Sequence, residues 1–216
     1  MKRSWSEAPD RFVNGSTAIE VVSGGHPDFT RLADIAGIRH ELRYASTDNF
    51  VGADMYSPFD CAWLHREGAE ALRRSAGHLA ARHPGLTLLV LDALRPQRVQ
   101  ERMWKALEGT GLTDYLANPA VGSIHSFGMA VDVTVCDAQG RELDMGTPFD
   151  DLTEKSHPVL EAALLGRGEL TPSQVANREI LRDAMAAGGW RGISREWWHF
   201  DAGDRVRIRS EMPRVM

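Results

Sequence analysis

Apolar positions along the chain change their period several times, and each change marks an element. Between Glu67 and His83, Leu72, Ala76, Leu79 and Ala80 share one face at helical spacing, with arginines and Glu70 elsewhere. That spacing predicts an amphipathic helix, closed by His83-Pro84-Gly85. Leu86–Leu94 is a continuous apolar run of strand length and reads as a central strand. Gln97–Glu108 reads as a second helix, with Pro96 in the first turn, where its missing N–H is no loss. Thr171, Pro172 and Gln174 form a capping-box start for a third helix, which runs to Ala187 and stops at Gly188-Gly189.

The strand signals are shorter. "GIRHELRYAST" (37–47) alternates enough for a strand, and "DNFVGADMY" (48–56) follows as a loop. "GMAVDVTV" (128–135) is a strand, and "CDAQGRELDMG" (136–146) predicts a hairpin turning at Gln139-Gly140 and returning through Leu143. "WRGI" and "EWWHF" close the chain's regular pattern as a strand pair. Helices grouped around a hairpin-rich sheet predict an α+β fold.

One strand carries an anomaly. Met129, Val131, Val133 and Val135 share one face, and Ala130, Asp132 and Thr134 the other. A carboxylate in such a strand must be paired, neutralised or bound to a metal, because desolvating its charge costs several kcal/mol. His125 precedes the strand on a turn that Gly128 lets bend closely, and an imidazole nitrogen with a carboxylate oxygen makes two suitable zinc ligands. An ordinary hydrogen-bonded Asp and a surface His are the alternative. In "SREWWHF" (194–200), His199 supplies a possible third ligand and Glu196 a possible base beside it; a plain strand edge with packed tryptophans is the alternative. Arg95, at the end of the central strand, could stabilise a developing oxyanion or make a structural salt bridge.

These pieces together resemble the D-alanyl-D-alanine dipeptidases, zinc peptidases related to the zinc D,D-carboxypeptidases. The family pattern Ser-x-His-x-x-Gly-x-Ala-x-Asp is matched by Ser123, His125, Gly128, Ala130 and Asp132, and Glu-x-Trp-His by Glu196, Trp198 and His199. "YASTDNFVG", "LDALRPQ", "LDMGTPFDDLTEKSH" and "GGWRGISREWWHF" extend the likeness over Arg39 to Phe200. The chain departs from the family at Leu94, where a tyrosine is usual, and at Phe127, where an arginine is usual.

The resemblance implies a mainly antiparallel sheet with flanking helices in the zinc D,D-peptidase (hedgehog-like) fold. Residues 39–216 would be the catalytic domain and 1–38 an N-terminal segment packed on it. It implies one Zn2+ per chain, held by His125, Asp132 and His199. Glu196 would be the general base and then acid, and Arg95 the oxyanion partner. Asp150 would hold the substrate's free amino group, although its own sequence context suggests a loop Asp capping the next turn. Ser123 would contact substrate or support the adjacent ligand. The reaction implied is hydrolysis of D-alanyl-D-alanine to two D-alanines. Two alternatives are a D,D-carboxypeptidase or stem-peptide peptidase acting on cell-wall peptidoglycan, and a zinc-containing binding module without turnover.

Composition narrows these choices. The 216 residues are 43% hydrophobic and 25% charged, enough for one domain with a substantial core. A net charge of −5 argues against a nucleic-acid partner, and no run approaches the roughly 18 apolar residues of a membrane span. "MKRSWSEAPDRFVNG" lacks the apolar segment of a signal peptide, which favours a cytoplasmic dipeptide substrate over an exported polymer. Cys61 and Cys136 stand in unrelated contexts and read as buried thiols, as expected in reducing cytoplasm. His65, His78, His83 and His157 read as surface or supporting residues, and the tryptophans as packing.

Overall fold

A computed structural model describes residues 15–216; the first fourteen positions of the expected N-terminal segment lie outside the described residues. The chain runs β1 (Ser16–Thr17), α1 (Ile19–Ser23), β2 (Phe29–Arg31), β3 (Ile38–His40) and β4 (Trp63–His65). It continues through α2 (Arg66–Arg82), β5 (Thr87–Asp92), α3 (Gln97–Leu107), β6 (Ala130–Cys136) and α4 (Glu161–Gly166). It ends with α5 (Pro172–Gly188), β7 (Trp190–Gly192), β8 (His199–Ala202), α6 (Arg205–Glu211) and β9 (Arg214–Val215). The architecture is mixed α/β.

A five-stranded sheet in the order β3-β5-β6-β8-β7 forms the centre. β3 pairs parallel to β5, and the other three pairings are antiparallel. Two small pairings tie the N-terminal region down: β1 beside β9, and β2 beside β4.

α2 and α5 pack together over the sheet, with Leu72, Leu79, Leu181 and Met185 joining Val131, Val133 and Val135 in one core cluster. Each such fully buried aliphatic side chain contributes about 1.5–3 kcal/mol. Gly188 permits the close approach: a Cβ there would lie 2.5 Å from the Ala71 carbonyl and collide with Ser75 Oγ. A second cluster gathers Tyr44, Tyr56, Trp63, Leu94, Val99 and Met103 under α3.

The helices follow the sequence reading closely. α5 starts in a full capping box, with Gln174 N donating to Thr171 Oγ1 at 3.2 Å and Thr171 N to Gln174 Oε1 at 2.9 Å. The strands differ more. Only Ile38–His40 of the first expected strand pairs, because the chain then turns through a 3-10 segment at Arg43–Ala45. The expected hairpin is present but short: the chain turns at Asp137–Gly140, Asp137 N donates to the Arg141 carbonyl and Leu143 N to the Val135 carbonyl, and Cys136 and Glu142 form its single bridge. The last strand begins at His199, so Glu196–Trp198 form a turn instead of a strand. All seven β6 residues are buried, the apolar and the Asp132 faces alike.

Candidate active site

The sheet register assembles the site. Asp132 on β6 stands opposite His199 on β8 and opposite Asp92 on β5, in one row across three strands. Side chains in such a row project to the same face. The register shift between Val90 and Asp92 is a bulge-like irregularity that brings Asp92 into that row.

His125 enters from outside the sheet, on a 3-10 turn at Ile124–Phe127. Ser123 opens that turn, its Oγ accepting the His125 amide at 3.3 Å. Gly128 closes it at φ 64°, where a Cβ would meet His65 N at 2.6 Å. Gly128 therefore lets the chain pass directly from the His125 turn into the strand.

Hydrogen bonds fix which atoms face inward. His125 Nδ1 lies 2.7 Å from the Ala93 carbonyl, which can only accept, so Nδ1 carries a proton and Nε2 is the nitrogen that faces inward. His199 Nε2 lies 3.0 Å from Asp201 Oδ1, which turns Nδ1 inward. Asp201 is itself gripped by the Arg205 guanidinium, with Nε at 2.7 Å. Such a carboxylate behind a histidine fixes the ring and raises its basicity as a ligand.

Three donors consequently meet: His125 Nε2 and His199 Nδ1 at 3.2 Å, and Asp132 Oδ1 at 3.4 and 3.0 Å from them. Metal–ligand bonds of about 2.0–2.1 Å in a tetrahedron imply donor separations of about 3.3 Å. The observed edges fit that figure, and one tetrahedral position remains for another ligand. Electrostatics agree. Burial alone would raise the Asp132 carboxyl, yet His125 and His199 hold it far below the usual range. Burial alone would discharge His199, yet Asp201 and Asp132 hold its pKa well above the usual imidazole value. The cluster calls for positive charge at its centre.

Glu196 lies beside it, its Oε2 4.0 Å from His199 Nδ1, with no hydrogen bond to its side chain among the described residues. Burial pushes its carboxyl up to about 7, against the lowering effect of His199. The turn that carries it is held by Val133 N donating to the Trp198 carbonyl at 3.0 Å. Trp197 and Trp198 are buried, and Trp198 also lines the cleft.

Arg95 is buried three residues beyond β5. Its Nε and Nη2 donate to Asp92 Oδ2 at 2.9 and 2.6 Å, Nη2 also to Asp132 Oδ2 at 3.3 Å, and Nη1 to Gln100 at 3.0 Å. Four of the five guanidinium N–H groups are thus committed, and one on Nη1 is left. Asp92, fully buried, is held in turn by the Tyr56 hydroxyl. The salt-bridge and oxyanion readings of Arg95 are compatible, since the bridge fixes the group that would act.

Asp150 does not cap its own turn. Its carboxylate accepts from the Tyr44 hydroxyl at 2.9 Å and the Phe50 amide at 3.3 Å, both from a distant segment. Its φ of 62° is a left-handed conformation that costs a non-glycine residue about 1–3 kcal/mol and persists where surroundings impose it. Burial, with Asp132 adding to it, pushes its carboxyl up to about 8 despite the Tyr44 bond. Ser123, His125, Asp132, Asp150, Glu196, His199 and Arg95 all line one cleft of about 280 Å3, below the ~300–1,000 Å3 of drug-sized ligand sites.

A family model described as D-ala-D-ala dipeptidase matches residues 28–215. The chain belongs to that family. A D-alanyl-D-alanine dipeptidase of Escherichia coli K12 is 38% identical over 178 residues, 81% of this chain and 86% of the relative. One from Enterococcus faecium is 32% identical across 80% and 90% of the two chains, and one from Streptomyces coelicolor 32% across 77% and 86%. The family are metallopeptidases, in keeping with the His125–Asp132–His199 cluster of this dipeptidase chain. Its two departures from the family pattern, Leu94 and Phe127, are core residues outside the cleft.

The sequence reading passed over Asp92, Asp201, Tyr44 and Tyr56. Asp201 was accessible in principle, since residues two apart on a strand share a face and His199-x-Asp201 has that spacing. Nothing local marks Asp92 or Tyr56, which meet only through the fold. Of the remaining histidines, His65 caps α2, His78 pairs with Asp183, and His157 contacts Tyr115.

Proposed function

We propose that this protein hydrolyses D-alanyl-D-alanine, and D,D-dipeptides with a free amino terminus, into two amino acids using one zinc ion held by His125, Asp132 and His199. The observation that carries the reading is three inward-facing donors at tetrahedral spacing beside a buried, unbonded Glu196. Two imidazole nitrogens and one carboxylate oxygen suit zinc by donor type. Zinc there would lower the pKa of a coordinated water and polarise the scissile carbonyl.

The protein's own groups supply the rest. Glu196 takes a proton from the attacking water and returns it to the leaving amine as the C–N bond breaks. A carboxyl near pH 7 can do both at neutral pH. The remaining Nη1–H of Arg95 stabilises the oxyanion from a guanidinium that cannot swing away. Asp150 receives the substrate ammonium, whose charge draws into the carboxylate form a group that burial otherwise pushes up to about 8, and Ser123 keeps its hydroxyl proton for substrate while its oxygen caps the His125 turn. We read residues 39–216 as the catalytic domain in a hedgehog-like, mainly antiparallel fold, with the described part of the N-terminal segment, 15–38, packed on it through β1 and β2. Buried free thiols at Cys61 and Cys136 support a reducing, cytoplasmic setting, and no described helix is long and apolar enough to cross a membrane.

The test is alanine release from D-Ala-D-Ala, L-Ala-L-Ala and N-acetyl-D-Ala-D-Ala, with and without a chelator. Chelator-sensitive release from D-Ala-D-Ala alone is expected. Cleavage of the acetylated peptide would favour a carboxypeptidase and remove the ammonium role from Asp150, and no release from any peptide by the zinc-loaded protein would refute the substrate.

A further inference from the structure

Four arginines line the cleft, and three of them are answered by carboxylates: Arg95 by Asp92 and Asp132, Arg195 by Asp114, and Arg205 by Asp201. Arg209, in the last turn of α6, has no carboxylate partner among the described residues. Among the described residues its one hydrogen bond runs from Nη2 to the Gly122 carbonyl at 3.2 Å. Its Nε is buried without an acceptor. A cationic fork held in a cleft with unfilled donors leaves an energetic deficit that a bidentate anion would remove.

Its position indicates which anion. Gly122 precedes Ser123, whose hydroxyl oxygen caps the His125 turn and whose hydroxyl proton has no acceptor among the described residues. Arg209 therefore stands beside the turn that delivers His125 to the proposed metal. A dipeptide has two charged ends, and Asp150 answers only the ammonium. The C-terminal carboxylate lies one residue beyond the scissile carbonyl, within about 3.3–3.6 Å of chain reach.

We propose that Arg209, with the Ser123 hydroxyl, binds the C-terminal carboxylate of the substrate and makes a free carboxylate a requirement for efficient cleavage. This rests on the dipeptidase reading. Arg209 is a specificity residue here, since it touches the substrate's end and not the bond that breaks. Docking α6 onto the turn is the merely structural role, and it would not distinguish one substrate terminus from another.

The experiment compares kcat/KM for D-Ala-D-Ala and D-Ala-D-alaninamide on zinc-loaded wild type, Arg209→Met and Arg209→Lys. Charge-assisted bonds of this type are each worth roughly ten- to hundredfold. We expect the wild type to prefer the acid by that factor, mainly through KM, with the preference collapsing toward unity in Arg209→Met and partly kept in Arg209→Lys. An acid-to-amide ratio that does not change on substitution overturns the proposal. If Arg209→Met does not fold, the lysine variant carries the comparison, and full retention of the preference there overturns the bidentate contact. Calorimetric binding of D-Ala-D-Ala to Glu196→Gln, with and without Arg209→Met, separates this proposal from the catalytic reading. Tenfold or greater weakening supports the subsite even if the wild type releases no alanine, and equal binding or no binding to either variant overturns it.

Discussion

Replacing Glu196 by glutamine tests the buried base through stability as well as rate. The substitution is nearly isosteric but removes the charge. Loss of a positioned general base lowers kcat by roughly 10²–10⁴-fold. The stability effect follows from linkage. The Glu196 carboxyl titrates at about 7 in the fold, against about 4.3 in an unfolded chain. A raised carboxyl means that folding favours the neutral form, so the penalty is absent below pH 4, grows as pH rises, and is complete above pH 7. The difference of nearly three pH units corresponds to roughly 3–4 kcal/mol at most. Glutamine carries no such penalty, although its amide must also be desolvated. In urea unfolding of the metal-stripped protein, Glu196→Gln should gain about 2–3 kcal/mol over wild type on going from pH 5 to pH 8. Zinc loading should shrink the gain, because a nearby cation favours the carboxylate. An identical stability difference at both pH values would refute the buried, uncompensated charge on which the base assignment rests.

Asp201→Asn should keep the fold while weakening zinc about 10–100-fold, because His199 loses the carboxylate that orients it; competition with a chromophoric chelator measures this. Asp150→Asn should raise KM for D-Ala-D-Ala about tenfold with a smaller effect on kcat, since the amide oxygen accepts from an ammonium but brings no opposing charge; steady-state kinetics separates the two. Arg178 is fully buried, bonded to Met145 O and Lys155 O and paired with Glu161, so it fastens the loop that carries Asp150. Arg178→Met should cost about 1–3 kcal/mol by leaving the Met145 and Lys155 carbonyls without their donor, while Arg182 still pairs with Glu161 at 2.8 Å; calorimetry should show a fall in Tm of about 5 °C, at roughly 2–4 °C per kcal/mol.

Helices were legible because their signals are local. The capping box at Thr171, the apolar face of α2 and the first-turn Pro96 are each contained in a few residues. Strands were less so, since a strand is completed by a distant partner. "EWWHF" carries strand-like residues, but Glu196–Trp198 turn because His199 pairs with Asp132, and that register alone sets where β8 begins. The short N-terminal strands gave no pattern long enough to read.

The sequence by itself determined the donor types of the candidate metal site, their order and the two motifs that carry them, because residue identity is fixed before folding. It also placed Asp132 in an apolar strand, where its charge demanded an explanation. Only the tertiary structure decided that Asp92, Asp132 and His199 share a row, that Asp201 turns His199 inward, and that Arg95 is locked while Arg209 is not. Those facts depend on register and on contacts between residues up to 87 positions apart. Side-chain chemistry is written residue by residue, but whether a charge is answered depends on which neighbours the fold brings to it.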